Sequence, residues 1–347
     1  MSQKSKSAPR RGRRAPLFAA LLALAVGVAA YFYVDYRHFA NSPLAPLAAA
    51  ISVDVPLGTP LPGIVRLLEA DGIHTAQPLY WRMLARELGV AGRLHAGEYA
   101  LAPGITPRGL LAKMAAGDVV QHRFTIVEGW TFAQLRSALA QDDGLTQALA
   151  GVGDAESMRL LGDADTLPEG WFLPETYSYV KGMSDLDILR RAHEAMHKAL
   201  ARLWGARDPG LPLDTPYQAL ILASIVEKET ARADERAQIA EVFEHRLKLG
   251  MKLQTDPSVI YGLGAGYDGN IHRRDLDTDT PFNTYTRTGL PPTPIALPGT
   301  ASLIAVMHPA TSGALYFVAR GDGSQEFSAT LEAHNRAVAK YQLHRNQ

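Results

Sequence analysis

Ala223-Ser224-Ile225-Val226-Glu227-Lys228-Glu229-Thr230 decides how this chain is read. At about 100° per residue, Ile221, Leu222, Ile225 and Val226 form one helical stripe, and Glu229 lies inside it. Glu227 falls nearly opposite, beside Leu220, Ala223 and Ser224. Carboxylates two positions apart cannot share a helix face, so the two glutamates have different jobs. A carboxyl held against apolar neighbours has its pKa raised, because desolvation disfavours the charged form. A carboxyl still protonated near neutral pH meets the requirement of a general acid. The competing reading is structural, with Glu229 paired to a buried arginine.

Outward from that helix, the 347 residues leave room for two domains of ordinary size. A hydrophobic fraction of 47% and a charged fraction of 20% belong to a protein with a real core. Residues 1–14 carry Lys4, Lys6, Arg10, Arg11, Arg13 and Arg14 and no acid. Residues 15–34 are then free of charge and end in Tyr31, Phe32 and Tyr33. That is the length of a membrane-spanning helix with basic residues on its cytoplasmic side. The stretch is long for a cleaved signal and ends in bulky aromatics, so it reads as an uncleaved signal anchor. The body is thereby placed outside the cytoplasmic membrane.

Without cysteine there are no disulfides, no lipidated N-terminal cysteine and no thiol catalysis. Net charge is zero overall. Setting the six basic tail residues aside leaves 29 Lys and Arg against 35 Asp and Glu, a body near −6. Such a body lacks the basic footprint of a nucleic-acid binder, and no nucleic-acid partner is expected.

A Pro/Ala-rich juxtamembrane stretch, residues 35–50, precedes strand signals at 51–55 and 97–101. Helical patterns at 61–69 and 78–88 lie between them, and a third at 107–116 stops at Gly117. Strand–helix–helix–strand in so short a span is the order of a small α+β module, and it resembles the LysM type. A strand at 123–127 leads to Thr131, a candidate N-cap for a helix at 132–140. Further on, periodicity predicts helices at 186–203, 217–232, 234–249 and 330–341. Residues 254–300 are loop-rich, and 315–328 read as a β-hairpin. The fold class is therefore α+β. Its parts are a basic tail (1–14), an anchor (15–34), a LysM-like module (50–123) and a mixed α+β catalytic domain (124–347).

Three motifs have two readings each. His193-Glu194-Ala195-Met196-His197 matches the H-E-x-x-H zinc-peptidase pattern, with Glu227 or Glu229 available as a third ligand; its highly charged surroundings read instead as a solvated helix face. Trp171, within Glu169–Tyr177, offers either a stacking surface for a sugar ring or a core residue that locks a loop. Asp256, in Gln254-Thr255-Asp256-Pro257, is a natural helix N-cap with Pro257 behind it or, with Gln254, a substrate contact.

Taken together, Glu169–Tyr177, Ala223–Thr230, Arg246–Tyr261, Asn283–Gly299, His308-Pro309, Tyr316-Phe317-Val318 and His334-Asn335 resemble one family, the membrane-anchored endolytic murein transglycosylases (MltG/YceG-like). The resemblance runs from about residue 50 to the C-terminus. It implies a lyase that cuts the β-1,4 bond between N-acetylmuramic acid and N-acetylglucosamine within peptidoglycan strands, leaving 1,6-anhydro ends, with no cofactor and no metal. It places the catalytic glutamate on Glu229. Thr230, Gln254, Asp256, Asn283, Tyr285 and Trp171 are the candidate substrate contacts. It also implies a role in ending nascent strands beside peptidoglycan synthases, from a single-pass position in the inner membrane facing the periplasm. The alternatives are a zinc metallopeptidase on His193, Glu194 and His197, and a non-catalytic peptidoglycan-binding tether. Phe282 and Leu297 depart from the family pattern, where tyrosine and asparagine are expected, and no role is carried over to either.

Overall fold

Proline, glycine and threonine punctuation sets most element boundaries in the computed structural model, which describes residues 15–44, 49–73, 75 and 77–343. The basic tail lies outside the described residues. The chain divides into two units, residues 1–121 and 122–347.

In the first unit, helix α1 (Ala15–Asn41) is followed by β1 (Ile51–Val55), α2 (Leu61–Ala70), α3 (Pro78–Glu87), β2 (Gly97–Leu101) and α4 (Pro107–Ala116). Strands β1 and β2 pair antiparallel with Val53 opposite Tyr99, and both of these side chains are buried. Thr106 caps α4 through the Gly109 N–H, and Gly117 closes it in the left-handed conformation, the one that a Cβ disfavours. Residues 18–41 of α1 are long and apolar enough to cross a membrane. The helix runs past the expected juxtamembrane start at residue 35. Tyr36 and Ala40 are buried in the same core as Leu84, Leu110 and Met114, and the Tyr80 hydroxyl donates to Asp35 at 2.7 Å. Apolar packing and this bond keep the last turns helical where composition suggested a connecting stretch.

The second unit contains β3 (His122–Thr125), α5 (Phe132–Ala140), α6 (Asp154–Leu161), β4 (Thr176–Tyr179), α7 (Asp185–Gly205), α8 (Pro216–Glu229) and α9 (Arg236–Lys248). After these come α10 (Asp256–Leu263), α11 (Arg273–Asp277), α12 (Thr300–Met307), the hairpin β5 (Tyr316–Ala319) and β6 (Gln325–Ser328), and α13 (Leu331–Val338). Strands β3 and β4 pair antiparallel, with Phe124 opposite Tyr177. Periodicity did not reveal α6, α12 or β4. The first two have only eight residues each, and β4 has four, too few for a repeat to stand out.

Helix α8 forms the centre of this unit. Residues 219–226 are all buried, and they pack with Met196 and Leu200 of α7, Ile239 and Phe243 of α9, and Leu303 and Val306 of α12. The expected contrast between an apolar face and its opposite is absent along that run, because neighbours enclose the helix on all sides. The Ser224 hydroxyl donates to the Ile221 carbonyl at 2.7 Å and accepts the Ile295 N–H at 3.0 Å. A polar side chain in the core thus ties the 293–298 loop to α8.

Candidate active site

Helix α8 ends three residues earlier than its periodicity suggested. Thr230 turns extended at φ −147°, ψ 139°, and its hydroxyl accepts the Arg232 N–H at 3.0 Å. Glu229 therefore becomes the last helical residue, at the negative end of the helix dipole, which disfavours a further negative charge. Its carboxyl is pushed up to about 7, with burial as the main cause and the Asp256 charge adding to it. The Thr255 hydroxyl, which donates to Glu229 Oε1, and the nearby Arg246 charge partly offset that rise.

Thr255 is unusual for an N-cap. It precedes α10, yet its side chain makes no cap hydrogen bond, and its hydroxyl donates to Glu229 instead. Asp256, the expected N-cap, is instead the first residue of α10 and accepts the Tyr285 hydroxyl at 2.6 Å. Gln254 is the only non-glycine among the described residues with a left-handed backbone (φ 52°). Its N–H donates to the Thr284 carbonyl at 3.1 Å. Such strain collects at functional sites, where the surroundings must over-determine it.

Glu229 opens onto a cleft of about 480 Å³ that is also lined by Glu128, Glu227, Lys228, Thr230 and Arg236. Across the helix, Glu227 accepts the Gly299 N–H at 2.9 Å and the Ser302 hydroxyl at 2.7 Å, and lies 3.5 Å from Arg236. A Cβ on Gly299 would sit 1.9 Å from Glu128 Oε1, so a side chain there would displace the Glu128 carboxylate. Both glutamates line the cleft but have different partners: Glu227 holds the loop before α12, and Glu229 is held by Thr255. No cation is paired with Glu229 among the described residues. Arg246, the buried arginine closest to the structural reading, donates instead to the carbonyls of Leu315 at 2.9 Å and Leu253 at 2.7 Å.

The candidate substrate contacts fall in different places. Gln254, Asp256 and Tyr285 surround Thr255, the partner of Glu229. The Thr230 hydroxyl donates to Glu235 at 3.3 Å, so the residue that orients Glu229 is Thr255. Asn283 is buried. Its amide donates to the carbonyls of Asp275, Leu276 and Thr278, and its oxygen accepts the Tyr285 N–H. Every polar atom of Asn283 thus braces its own loop. Trp171 stacks on His197 (centroids 4.5 Å apart) and Tyr217 (5.8 Å), packed between α7 and α8. Phe282 packs edge-on against Tyr261 at 5.0 Å. Leu297 is buried, and its backbone pairs with Gly129 and Trp130.

A second buried acid lies in the loop before β4. Glu169 accepts the Phe132 N–H at 3.0 Å and the Tyr261 hydroxyl at 3.1 Å, and burial pushes it up to about 7. It lines a cavity of about 690 Å³ together with Gln134, Asp154 and Thr293. Its membership of Glu169–Tyr177 was the only sequence signal for it.

The chain's residues 53–340 match the model of the YceG-like family. The chain belongs to the YceG-like family. A relative from Bacillus subtilis (strain 168), named endolytic murein transglycosylase, is 28% identical over 86% of this chain and 86% of its own length. A namesake from Streptococcus pneumoniae (strain D39) is 27% identical over 89% of this chain, which spans 62% of that longer protein. The crystal structure of a yceG-like protein from Listeria monocytogenes aligns with a TM-score of 0.53 and 30% identity, covering 83% of this chain and 98% of the other. The YceG-like membership rests on a stretch that begins inside the first unit's β1 and includes the cleft at Glu229.

The H-E-x-x-H segment lies apart from that cleft. Its histidine Nε2 atoms are 3.2 Å from each other, and their neighbouring acid is Asp163, not Glu227 or Glu229. His193 is buried, against the solvated face expected, whereas Glu194 is exposed and pairs with Lys198 at 3.4 Å.

Proposed function

We propose that this protein is an endolytic peptidoglycan lytic transglycosylase in which Glu229 is the single acid/base. The observation that carries the reading is a carboxyl held up to about 7 at the end of α8, oriented by Thr255 and facing an open cleft. The names of the Bacillus and Streptococcus relatives support the same substrate.

In this reaction protonated Glu229 gives its proton to the bridging oxygen as the bond from the anomeric carbon of N-acetylmuramic acid breaks. The leaving N-acetylglucosamine departs with a free 4-hydroxyl. The carboxylate left behind, supported by the Thr255 hydroxyl, takes the proton of the muramic acid 6-hydroxyl. The 6-oxygen bonds to the anomeric carbon, and the 1,6-anhydro ring forms without water. Glu229 ends protonated, as it began. Ordinary glycosidases use two carboxyls, whereas here the nucleophile belongs to the substrate and one carboxyl serves both steps. The substrate's own N-acetyl group stabilises the intermediate. Gln254, Asp256 and Tyr285 line the approach to Thr255 and contact the glycan. Helix α1 anchors the chain in the inner membrane, with the body in the periplasm, where a LysM-like first unit presents strands. Cleavage there ends nascent glycan strands beside the synthases that make them.

The test is digestion of purified sacculi by the full chain in detergent, with products read by mass spectrometry. Anhydro-muropeptides that vanish in Glu229→Gln and persist in Glu227→Gln are expected. Reducing sugar ends or cut peptides would overturn the reading, and binding without any product would favour a tether.

A further inference from the structure

We propose a zinc site, separate from the cleft at Glu229, formed by Asp163, His193 and His197. The three ligand atoms converge: His193 Nε2 and His197 Nε2 are 3.2 Å apart, and Asp163 Oδ2 lies 3.3 Å from the first and 3.6 Å from the second. A tetrahedral zinc with bonds of about 2.0–2.1 Å separates its ligand atoms by about 3.3–3.4 Å, so the triangle already has the required edge. The hydrogen-bonded alternative is an Nε2–H from each histidine on the shared Asp163 oxygen, whereas one cation would take all three ligand atoms at once.

The local structure builds this triangle from two segments. His193 and His197 stand one turn apart on α7, where side chains at i and i+4 lie one above the other. Helix α6 stops at Gly162, which takes φ 90°. The Asp163 N–H then donates back to the Met158 carbonyl at 3.0 Å, and this C-cap turns Asp163 toward α7. The other Asp163 oxygen accepts the Thr166 hydroxyl at 2.6 Å, the kind of outer contact that orients a metal-bound carboxylate. His193 is 8% exposed at its side chain and His197 45%, which leaves the fourth position to a water from the open side. Trp171 lies against His197, so an ion here would brace the loop that holds Trp171 and Glu169.

Two imidazoles and one carboxylate suit zinc. Glu194, the general base of a peptidase with this pattern, is not a ligand and faces solvent. The site is therefore a structural clamp joining α6 to α7, and it does not depend on the chemistry assigned to Glu229.

The experiment uses the full chain, without a histidine tag, stripped with chelator and titrated with zinc chloride, with cobalt(II) as the spectroscopic probe. One zinc per chain is expected, together with the visible bands of tetrahedral cobalt and a melting midpoint raised by zinc. Asp163→Asn and the surface change His197→Gln should each weaken binding by more than about a hundredfold, since outer contacts alone are worth 10–100-fold. Glu194→Gln and Glu229→Gln should bind zinc as the parent does. Failure of the parent to take up zinc, or retention of it by both ligand variants with unchanged cobalt bands, would overturn the site. Loss of zinc uptake in Glu194→Gln but not in Asp163→Asn would overturn the ligand set.

Discussion

The end of α8 and the loop ahead of β4 each bury a glutamate, and burial pushes both up to about 7. Their partners differ. Glu169 is clasped by a backbone N–H and a tyrosine hydroxyl, and it joins α5 to α10. Glu229 has one hydroxyl partner, from a threonine that forgoes its own cap, and sits beside the strained Gln254. A raised pKa therefore does not pick out the acid. What separates the two is how much of each carboxyl is already engaged by protein.

The strongest way to break this comparison is to neutralise the α8 carboxyl. Glu229→Gln is expected to lower strand cleavage by about 10²–10⁴-fold, the range for loss of an acid/base group, as measured by release of anhydro-muropeptides. If the variant keeps parental activity, the assignment of the acid to α8 is wrong. In the parent, activity should fall as pH rises through about 7, because the protonated form is the one that starts the reaction.

A pH series on stability probes both regions together. For a carboxyl whose folded pKa is raised, the folded state binds the proton more tightly. The stability contribution is complete below the ordinary carboxyl range near 4.5 and is lost as pH rises through the folded value. Glu169 and Glu229 at about 7, and Glu244 at about 8, put that loss between about pH 5 and 8. The total loss should be on the order of 2–4 kcal/mol after allowing for relaxation around each group. Denaturant midpoints measured across this window should decrease steadily. Glu244→Gln should flatten part of the slope, since both Glu244 oxygens are buried without a hydrogen-bond partner among the described residues.

Thr255→Val sharpens the comparison at a smaller scale. Removing the hydroxyl takes away a bond that favours ionised Glu229, so the fall in activity with pH should move to higher pH. The rate should drop by about tenfold, equivalent to the ~1–1.5 kcal/mol of one such bond. Gln254→Gly relieves the left-handed backbone and should add about 1 kcal/mol of stability while weakening substrate binding, read as a higher KM. The smallest effect on rate is expected from Glu169→Gln. Glutamine's single oxygen can still accept the Phe132 N–H, and its NH2 can donate to the Tyr261 hydroxyl in place of the second oxygen, so activity should stay within about threefold of the parent. A larger loss would make Glu169 an equal of Glu229.

How much of this was legible beforehand depended on range. Gly117, Thr131 and Pro107 act within a turn of themselves, and the elements they punctuate appear where local pattern put them. The separation of Glu227 from Glu229 is likewise helical geometry and was readable from spacing. The early end of α8 was not, because Thr230 is turned by bonds to Arg232 and Glu235. The role of Thr255 was hidden too: it lies 26 residues from Glu229 and looks like the residue before a cap. The paired-histidine motif pointed to a metal but not to its third ligand, since Asp163 arrives through the C-cap of a helix too short for periodicity to reveal.

By itself the sequence determined the class of fold, the candidate span at the N-terminus and the separation of Glu227 from Glu229 around the helix axis. All of these follow from local sterics and periodicity, which act over a few residues. Tertiary structure alone decided that Glu229 meets Thr255 rather than Arg246, that Asn283 braces its loop rather than facing the cleft, and that Asp163 joins His193 and His197. Those outcomes depend on which distant segments pack together, and packing is a property of the whole core around α8.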